Sequence, residues 1–284
     1  LEELDIILQR NLGPSIFILD DTRFWINQVQ TFLDWSEISI ENILNKFKYY
    51  NYQIDIFYEE NDRFFVLARK NFKIKKMYNS QWQQDKWLNE NLFKNKKNKF
   101  FVEIGSHDGV TLNNTLFFEK YLDWKGICIE PIPDIYEKLK KNRDCICIHG
   151  CIYNKDGDIE LNWIKGYSEM LSGISEAYCD KHKYRIKNEI KIYGGENKKI
   201  IVDCFKLNTI LERYDIKHID LLSIDTEGSE LSIIKEIDFD RFRIEVILIE
   251  VNYKDIEKNI NDFLIGKGYK FLIKLGGDNV YVLN

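Results

Sequence analysis

The chain has 284 residues, 44% hydrophobic and 31% charged, with a formal net charge of −5. This is a globular composition, long enough for one large domain or two modest ones, and not a disordered one. The acidic balance argues against DNA or RNA as the main partner, and no apolar run approaches the roughly 18 residues of a membrane span.

Residues 1–76 read as a small α/β segment. Residues 15–19 are a short apolar run. Residues 24–35 and 40–50 have helical spacing, the second with Ile40, Ile43, Leu44 and Phe47 on one side. Residues 52–58 and 63–67 flank Glu59-Glu60-Asn61-Asp62, a hairpin signal. The end of the chain repeats this layout with a helix over 255–266, a strand over 269–275 and a strand over 280–283, offset by 217 residues. Two readings stand: residues 1–76 are the tail of an upstream α/β domain, or the helix–hairpin match is coincidental. The first residue is Leu1, not Met, so the natural start is expected upstream; no secretory leader is visible.

From Lys99 onward strands and helices alternate, which predicts a mostly parallel sheet with helices on both faces. Strands are expected over 100–104, 126–130, 145–148, 219–224 and 245–251, with added strands over 159–164 and 200–205. Helices are expected over 112–122, 135–141, 207–214 and 229–237. Residues 167–195 are polar and irregular, with some helix near 177–190. The lysine-rich runs 73–76 and 94–99 read as solvated faces.

Cys145, Cys147, His149 and Cys151 alternate, which invites a zinc reading. Same-face neighbours on a strand lie about 6.5 Å apart, whereas ligands of one tetrahedral zinc lie about 3.5 Å apart. The pattern is therefore read as a buried strand with reduced thiols, suited to a reducing, cytoplasmic compartment.

The chemistry gathers at strand ends. Phe101-Val102-Glu103-Ile104-Gly105-Ser106-His107-Asp108-Gly109 is a buried strand that turns through two glycines into a helix. Open α/β sheets bind ligands at this edge. A dinucleotide loop needs a middle glycine, and His107 takes that place, which favours a nucleoside cofactor without a pyrophosphate. Glu103 can accept from an ammonium, and Glu130, ending the second strand, can accept from ribose hydroxyls. Asp225-Thr226-Glu227-Gly228-Ser229-Glu230 crowds carboxylates at the end of the fourth strand. Such crowding points to a bound cation, a proton or donors; helix capping by Asp225 or Ser229 is the alternative.

Together with Ser80–Trp87, Asn113-Asn114-Thr115, Trp124–Pro131, Met170–Ile174 and Ile249–Asn252, these stretches resemble the FkbM family of S-adenosylmethionine (SAM)-dependent methyltransferases from about residue 80 to 284. The resemblance implies a class I, Rossmann-like seven-stranded sheet ordered 3-2-1-4-5-7-6, beside the small N-terminal α/β segment. It implies O-methylation of a sugar or other hydroxylated metabolite. It also implies that Glu103, Gly105 and Gly109 line the methionine part of SAM, with Asp108 and His107 in the same loop. Glu130 and Pro131 would sit at the ribose, and Cys151 and Ile152 along the adenine. Ser80, Gln81, Gln84 and Asp85 would pack over the cofactor mouth, and Asp225 and Glu227 would face the methyl group and acceptor.

A sugar hydroxyl is a weak nucleophile and needs a base or a metal. Asp225 is the expected base or metal ligand, with Glu227, Glu250 and Asn252 available to complete a Mg²⁺ site. His182 and His218 are alternative bases. Residues 163–195 are the expected acceptor-binding insert, whose tyrosines suit a sugar ring and whose cations suit the phosphates of a nucleotide-activated sugar. Competing readings are an NAD-dependent sugar-modifying enzyme and a non-catalytic SAM-binding scaffold. Assembly as a homodimer stays open.

Overall fold

A computed structural model describes residues 78–284 and the backbone of three upstream strands, β1 (Ser15–Leu19), β2 (Tyr52–Glu60) and β3 (Arg63–Lys70). The chain divides into two units, Leu1–Lys76 and Met77–Asn284. In the first, the strands form an antiparallel sheet ordered β1-β3-β2, so the expected hairpin is present and carries a third strand. The helices expected over 24–35 and 40–50 and the lysine run 73–76 lie outside the described residues.

The second unit opens with α1 (Gln84–Leu88), continued by one π-helical turn over Asn89–Phe93. There follow β4 (Phe100–Ile104), α2 (Leu116–Leu122), β5 (Lys125–Glu130), α3 (Pro133–Asn142), β6 (Ile146–His149), β7 (Cys151–Ile152), β8 (Gly157–Lys165) and β9 (Gly173–Ile174). Then come α4 (Asp180–Tyr193), β10 (Glu196–Phe205), α5 (Leu207–Arg213), β11 (His218–Ile224), α6 (Glu230–Glu236), β12 (Arg243–Glu250), α7 (Lys254–Gly266), β13 (Tyr269–Leu275) and β14 (Asp278–Leu283).

Seven strands form the main sheet, ordered β13-β14-β12-β11-β4-β5-β6. Numbered within this sheet from β4, and taken from the β6 edge, the order is 3-2-1-4-5-7-6, as the resemblance implies. The first five strands are parallel, and β14 runs antiparallel to both neighbours. Buried on both faces, these strands carry continuous apolar runs. Val102, Ile104, Ile127, Leu222 and Ile247 face one layer, which includes Ile210, Ile233 and Ile260 of the helices. Phe101, Cys128, Leu221 and Leu248 face the other, packed on Leu88, Phe117, Phe118 and Trp124.

The two hairpins share a detail that side-chain patterning alone does not reveal. Each shifts register after its third residue pair, between Ile54 and Ile56 in one and between Phe271 and Ile273 in the other. Tyr52 and Tyr269, which open them, are 217 residues apart, but their partners Lys70 and Leu283 are 213 apart. The single offset of 217 therefore holds only through the first strand, because the upstream hairpin runs two pairs further before its turn.

The insertion is larger than residues 163–195. Strands β7, β10, β8 and β9 make a separate four-stranded sheet, with β8 and β10 paired antiparallel over nine residues. The start of β10 is Glu-Asn-Lys-Lys and exposed, so apolar alternation marked only its end. Helix α2 starts four residues later than its spacing suggests. Leu112 holds a left-handed φ of 53°, and the Asn113 side-chain oxygen takes the Leu116 N–H at 2.8 Å, a local cap that competes with helix. Among the described residues no helix is long and apolar enough to cross a membrane.

Candidate active site

Strands β4, β5, β11 and β12 end along one edge, where a cavity of about 580 Å³ opens. Its size is that of a small-molecule site. The loop after β4 contributes Gly105 and His107, β5 ends in Glu130, and the β6–β7 turn brings Gly150, Cys151 and Ile152. Asp225, Thr226 and Glu227 follow β11, while Glu250, Asn252 and Asp278 close the far side. Residues 167–174 of the insertion, with Arg185 and Glu189 of α4, form another wall, and Gln81, Trp82 and Gln84 lie at the mouth.

The glycine loop is tied to both neighbouring strands. Gly105 has φ +81°, and its amide donates to the Ile129 carbonyl. A Cβ there would strike the Asp225 carbonyl, so only glycine fits. The His107 amide donates to Glu130 Oε2 at 3.0 Å, and the Ile132 amide to Oε1 at 2.9 Å. Burial nevertheless pushes the Glu130 carboxyl up to about 7. The His107 ring lies 3.3 Å from Glu169 on the opposite wall.

Glu103 is committed to the protein. Its Oε2 accepts from Asn113 Nδ2 at 2.7 Å and Thr115 Oγ1 at 2.8 Å, and its Oε1 from the Asn114 amide at 3.1 Å. Behind it the buried guanidinium of Arg143 lies 3.6 Å away and donates to Asn113, Thr115 and the Gly109 carbonyl. Glu103 thus lines the cavity while spending most of its acceptor capacity on the loop.

The acid group at the other end is different. Asp225, Glu227 and Glu250 each place a carboxylate oxygen within 4.8 Å of the others. The Asp225 side chain opens onto the cavity but is ringed by protein that limits its access to water, while Glu227 Oε2 and Glu250 Oε2 are buried without a hydrogen-bond partner. Burial first, then mutual repulsion with Glu227, Asp278 and Glu230, lifts the Asp225 carboxyl well above the usual range. Burial and the Asp225 charge do the same to Glu250. Burial raises Glu227 to about 8 against a partial offset from Arg185, and raises Asp278 to about 6. Glu230 points the other way. It takes the amides of Thr226 and Gly228 and so shapes the turn that presents Asp225 and Glu227.

Most of the expected residues meet in this cavity: Gln81, Gln84, Glu103, Gly105, His107, Glu130, Pro131, Cys151, Ile152, Asp225, Glu227, Glu250 and Asn252. Four do not line it. Ser80 and Asp85 hydrogen-bond each other and brace the start of α1. Asp108 accepts from the Val110 and Thr111 amides, and Gly109 packs on Leu139 and Arg143. These four hold loops in place. His218 sits at the opposite end of β11, beside Asp220 and Glu245. His182 is buried in the insertion against Tyr178, 3.6 Å from Glu227, and burial lowers its pKa. Of the insert tyrosines, Tyr167 lines the cavity and packs against Tyr193 with ring centres 4.4 Å apart and the planes tilted by 34°, whereas Tyr178 is buried and donates to the Leu171 carbonyl. Arg185 is the only insert cation on the cavity wall among the described residues, and Glu189 already holds it at 2.8 Å. Sequence reasoning missed Asp278, which reads as part of the Gly276-Gly277 hairpin turn, and Ser223 and Arg143, which lie in a strand and at a helix end without a glycine- or acid-rich motif.

The family profile described as the methyltransferase FkbM domain matches residues 103–271, more than half of the chain. The chain belongs to the FkbM methyltransferase family. No curated protein matches it in sequence. Among solved structures, this FkbM chain is similar to methyltransferase FkbM from Methylobacillus flagellatus KT, at 11% identity and TM-score 0.42, over 66% of this chain and 44% of that one. It therefore spans under half of that relative's length. It is similar to a precorrin-6y C5,15-methyltransferase from Geobacter metallireducens GS-15 at 12% identity and TM-score 0.39, covering 73% and 89% of the two chains. The N-terminal domain of human METTL16 also scores 0.39, with 12% identity, covering 83% and 88%. Likenesses this weak carry no argument about substrate.

SAM is the cofactor that an FkbM domain implies, and the residues present fit it. A glycine cradle that a Cβ would fill lies beside a strand-tip carboxylate suited to ribose hydroxyls. Gly105 and Glu130 would hold it, with Cys151 and Ile152 on the adenine side.

Proposed function

We propose that this protein is a SAM-dependent O-methyltransferase acting on a sugar hydroxyl. The observation that carries the reading is the position of Asp225. Its carbonyl packs on the glycine loop of the cofactor cradle, and its carboxylate faces the acid-lined remainder of the cavity. It thus stands where cofactor and acceptor meet.

Bound SAM supplies an activated methyl group. The protein's task is to aim the acceptor oxygen and remove its proton. A carboxylate with a raised pKa is a stronger base than an ordinary one, and Asp225 has such a carboxylate. Glu227 and Glu250 would accept hydrogen bonds from neighbouring hydroxyls, and the exposed Tyr167–Tyr193 pair offers a face for a sugar ring. The wall favours a neutral glycan precursor over a nucleotide-activated sugar. Its single insert cation among the described residues is already paired with Glu189, so the wall offers a diphosphate no free cation.

A metal reading is favoured by one observation, the closeness of the Asp225, Glu227 and Glu250 oxygens. These three, rather than Asp225, Glu250 and Asn252 alone, are the ligand set to test for Mg²⁺. Turnover unchanged by EDTA would dispose of it; turnover lost to EDTA and restored by Mg²⁺ would support it.

Calorimetry with SAM and then NAD separates the methyltransferase from the dehydrogenase reading. SAM should bind and NAD should not, since the His107 amide that would face a pyrophosphate is given to Glu130. A mass-shift screen across neutral glycosides and nucleotide sugars should then find a gain of one methyl unit on a neutral glycoside. SAM binding with no methylated product across both sets would favour the scaffold reading.

The proposal extends to cytoplasmic location and a homodimer, to be read by cell fractionation and light scattering. It also takes residues 1–76 as the tail of an upstream α/β domain. The β1-β3-β2 order and the shared register shift, which repeat the β12-β14-β13 corner, support this. An in-frame stop codon shortly upstream of the Leu1 codon would end it.

A further inference from the structure

Glu103 already takes two donors at Oε2 and one at Oε1, with Arg143 behind it, which leaves it little acceptor capacity for the cofactor's ammonium. Beside it stands a side chain with the opposite property. Asn114, in the loop between β4 and α2, is 7% exposed and lines the cavity with Gly105, Ser223 and Asp225. Its amide N–H is anchored on Glu103 Oε1, and its Nδ2 donates to Ser223 Oγ at 3.3 Å. Its Oδ1 is buried and has no hydrogen-bond partner.

An unmet buried acceptor costs about 1–3 kcal/mol, and such atoms in a folded protein call for a reason. Here the wall position supplies one: a ligand donor completes the group. Resting on the SAM reading above, the donors to consider are the cofactor's own. Ribose hydroxyls belong beside Glu130, on β5. The adenine amino group belongs further out, beside Gly150–Ile152. The remaining donor is the α-ammonium, which must lie toward β4 and β11, where Asn114 stands. We infer that Asn114 Oδ1 receives the α-ammonium of SAM, and that Glu103 and Arg143 act as positioning residues that aim it. Arg143 holds Glu103, Glu103 holds the Asn114 backbone, and Ser223 fixes the amide plane.

Calorimetry on the full chain tests this with two probes. S-adenosylhomocysteine carries the ammonium; 5′-methylthioadenosine lacks the whole amino-acid end. Asn114→Ala should weaken S-adenosylhomocysteine at least roughly tenfold, the loss of one charge-assisted hydrogen bond, and leave methylthioadenosine within about twofold. Equal loss of both probes, or no loss of either, overturns the assignment. Asn114→Asp is the second variant. It keeps the shape and an acceptor, so S-adenosylhomocysteine should bind as well or better. A tenfold loss there would mean that the amide NH₂ faces the ligand carboxylate, and would also overturn it. Wild-type protein that binds neither probe would sink the SAM reading itself, a separate result.

Discussion

Gly105 and Asp225 lie so close that any side chain on Gly105 would run into the main-chain carbonyl of Asp225. The contact locks the ends of β4 and β11 together and fixes the distance between the cofactor cradle and the proposed base. The left-handed φ of +81° at Gly105 adds to the cost of a Cβ. Gly105→Ala should therefore abolish measurable SAM binding or lower Tm by more than about 5 °C. Gly266→Ala, at the open end of α7 with nothing within 4 Å of a Cβ, should leave Tm unchanged or slightly raised. A Gly105→Ala protein with native affinity and Tm would show that the loop relaxes freely.

Removing the base should separate chemistry from binding. Asp225→Ala deletes the carboxylate but keeps the main-chain carbonyl that packs on Gly105. Turnover should fall by about a hundredfold or more, the scale of general-base catalysis, with SAM affinity within roughly threefold. Normal turnover would remove Asp225 from the mechanism.

The parallel strands were legible because buried strands write themselves as apolar runs, each ended here by a glycine or an acid, Ile104-Gly105, Ile129-Glu130, Ile224-Asp225 and Ile249-Glu250, while their order in the sheet came from the family resemblance. The cavity's contributors from those ends were therefore legible too. What was not legible depends on where side chains turn after a strand ends. Asp108 resembles a ligand residue in the motif, yet its carboxylate folds back on its own turn. Asn114 gives no periodic or compositional signal, because its role arises from Glu103 and Ser223, 11 and 109 residues away. The insertion's extent was hidden by the polar start of β10, which pairs through backbone groups regardless of side chain.

Glu130 gives the cofactor site a pH dependence of definite sign. Its carboxyl is raised to about 7 by burial, so it is mostly protonated at pH 6 and ionised at pH 8. Ribose hydroxyls donate best to the ionised form. Affinity for 5′-methylthioadenosine, which has no titrating amine, should rise roughly five- to tenfold from pH 6 to pH 8. Glu130→Gln should bind more weakly and with a flat profile. A wild-type affinity that falls with pH would mean that the protonated carboxyl is the binding form.

Glu227 should set a conflict between stability and function. Its carboxyl titrates near 8 when folded and near the ordinary 4.5 when unfolded. Across that window the folded state keeps a proton that the unfolded state has released, so rising pH costs stability. Glu227→Gln keeps the shape and removes the charge. In EDTA, without cofactor, the variant should gain about 4 kcal/mol at pH 8, on the order of 10 °C in Tm, and almost nothing near pH 4, where both states are mostly protonated. The same variant should lose turnover if Glu227 orders the acceptor. A Tm lowered at pH 8 would show that the ionised form is held by a partner, most simply the Arg185 that lines the same wall, and that the carboxylate is part of the fold rather than strain kept for the reaction.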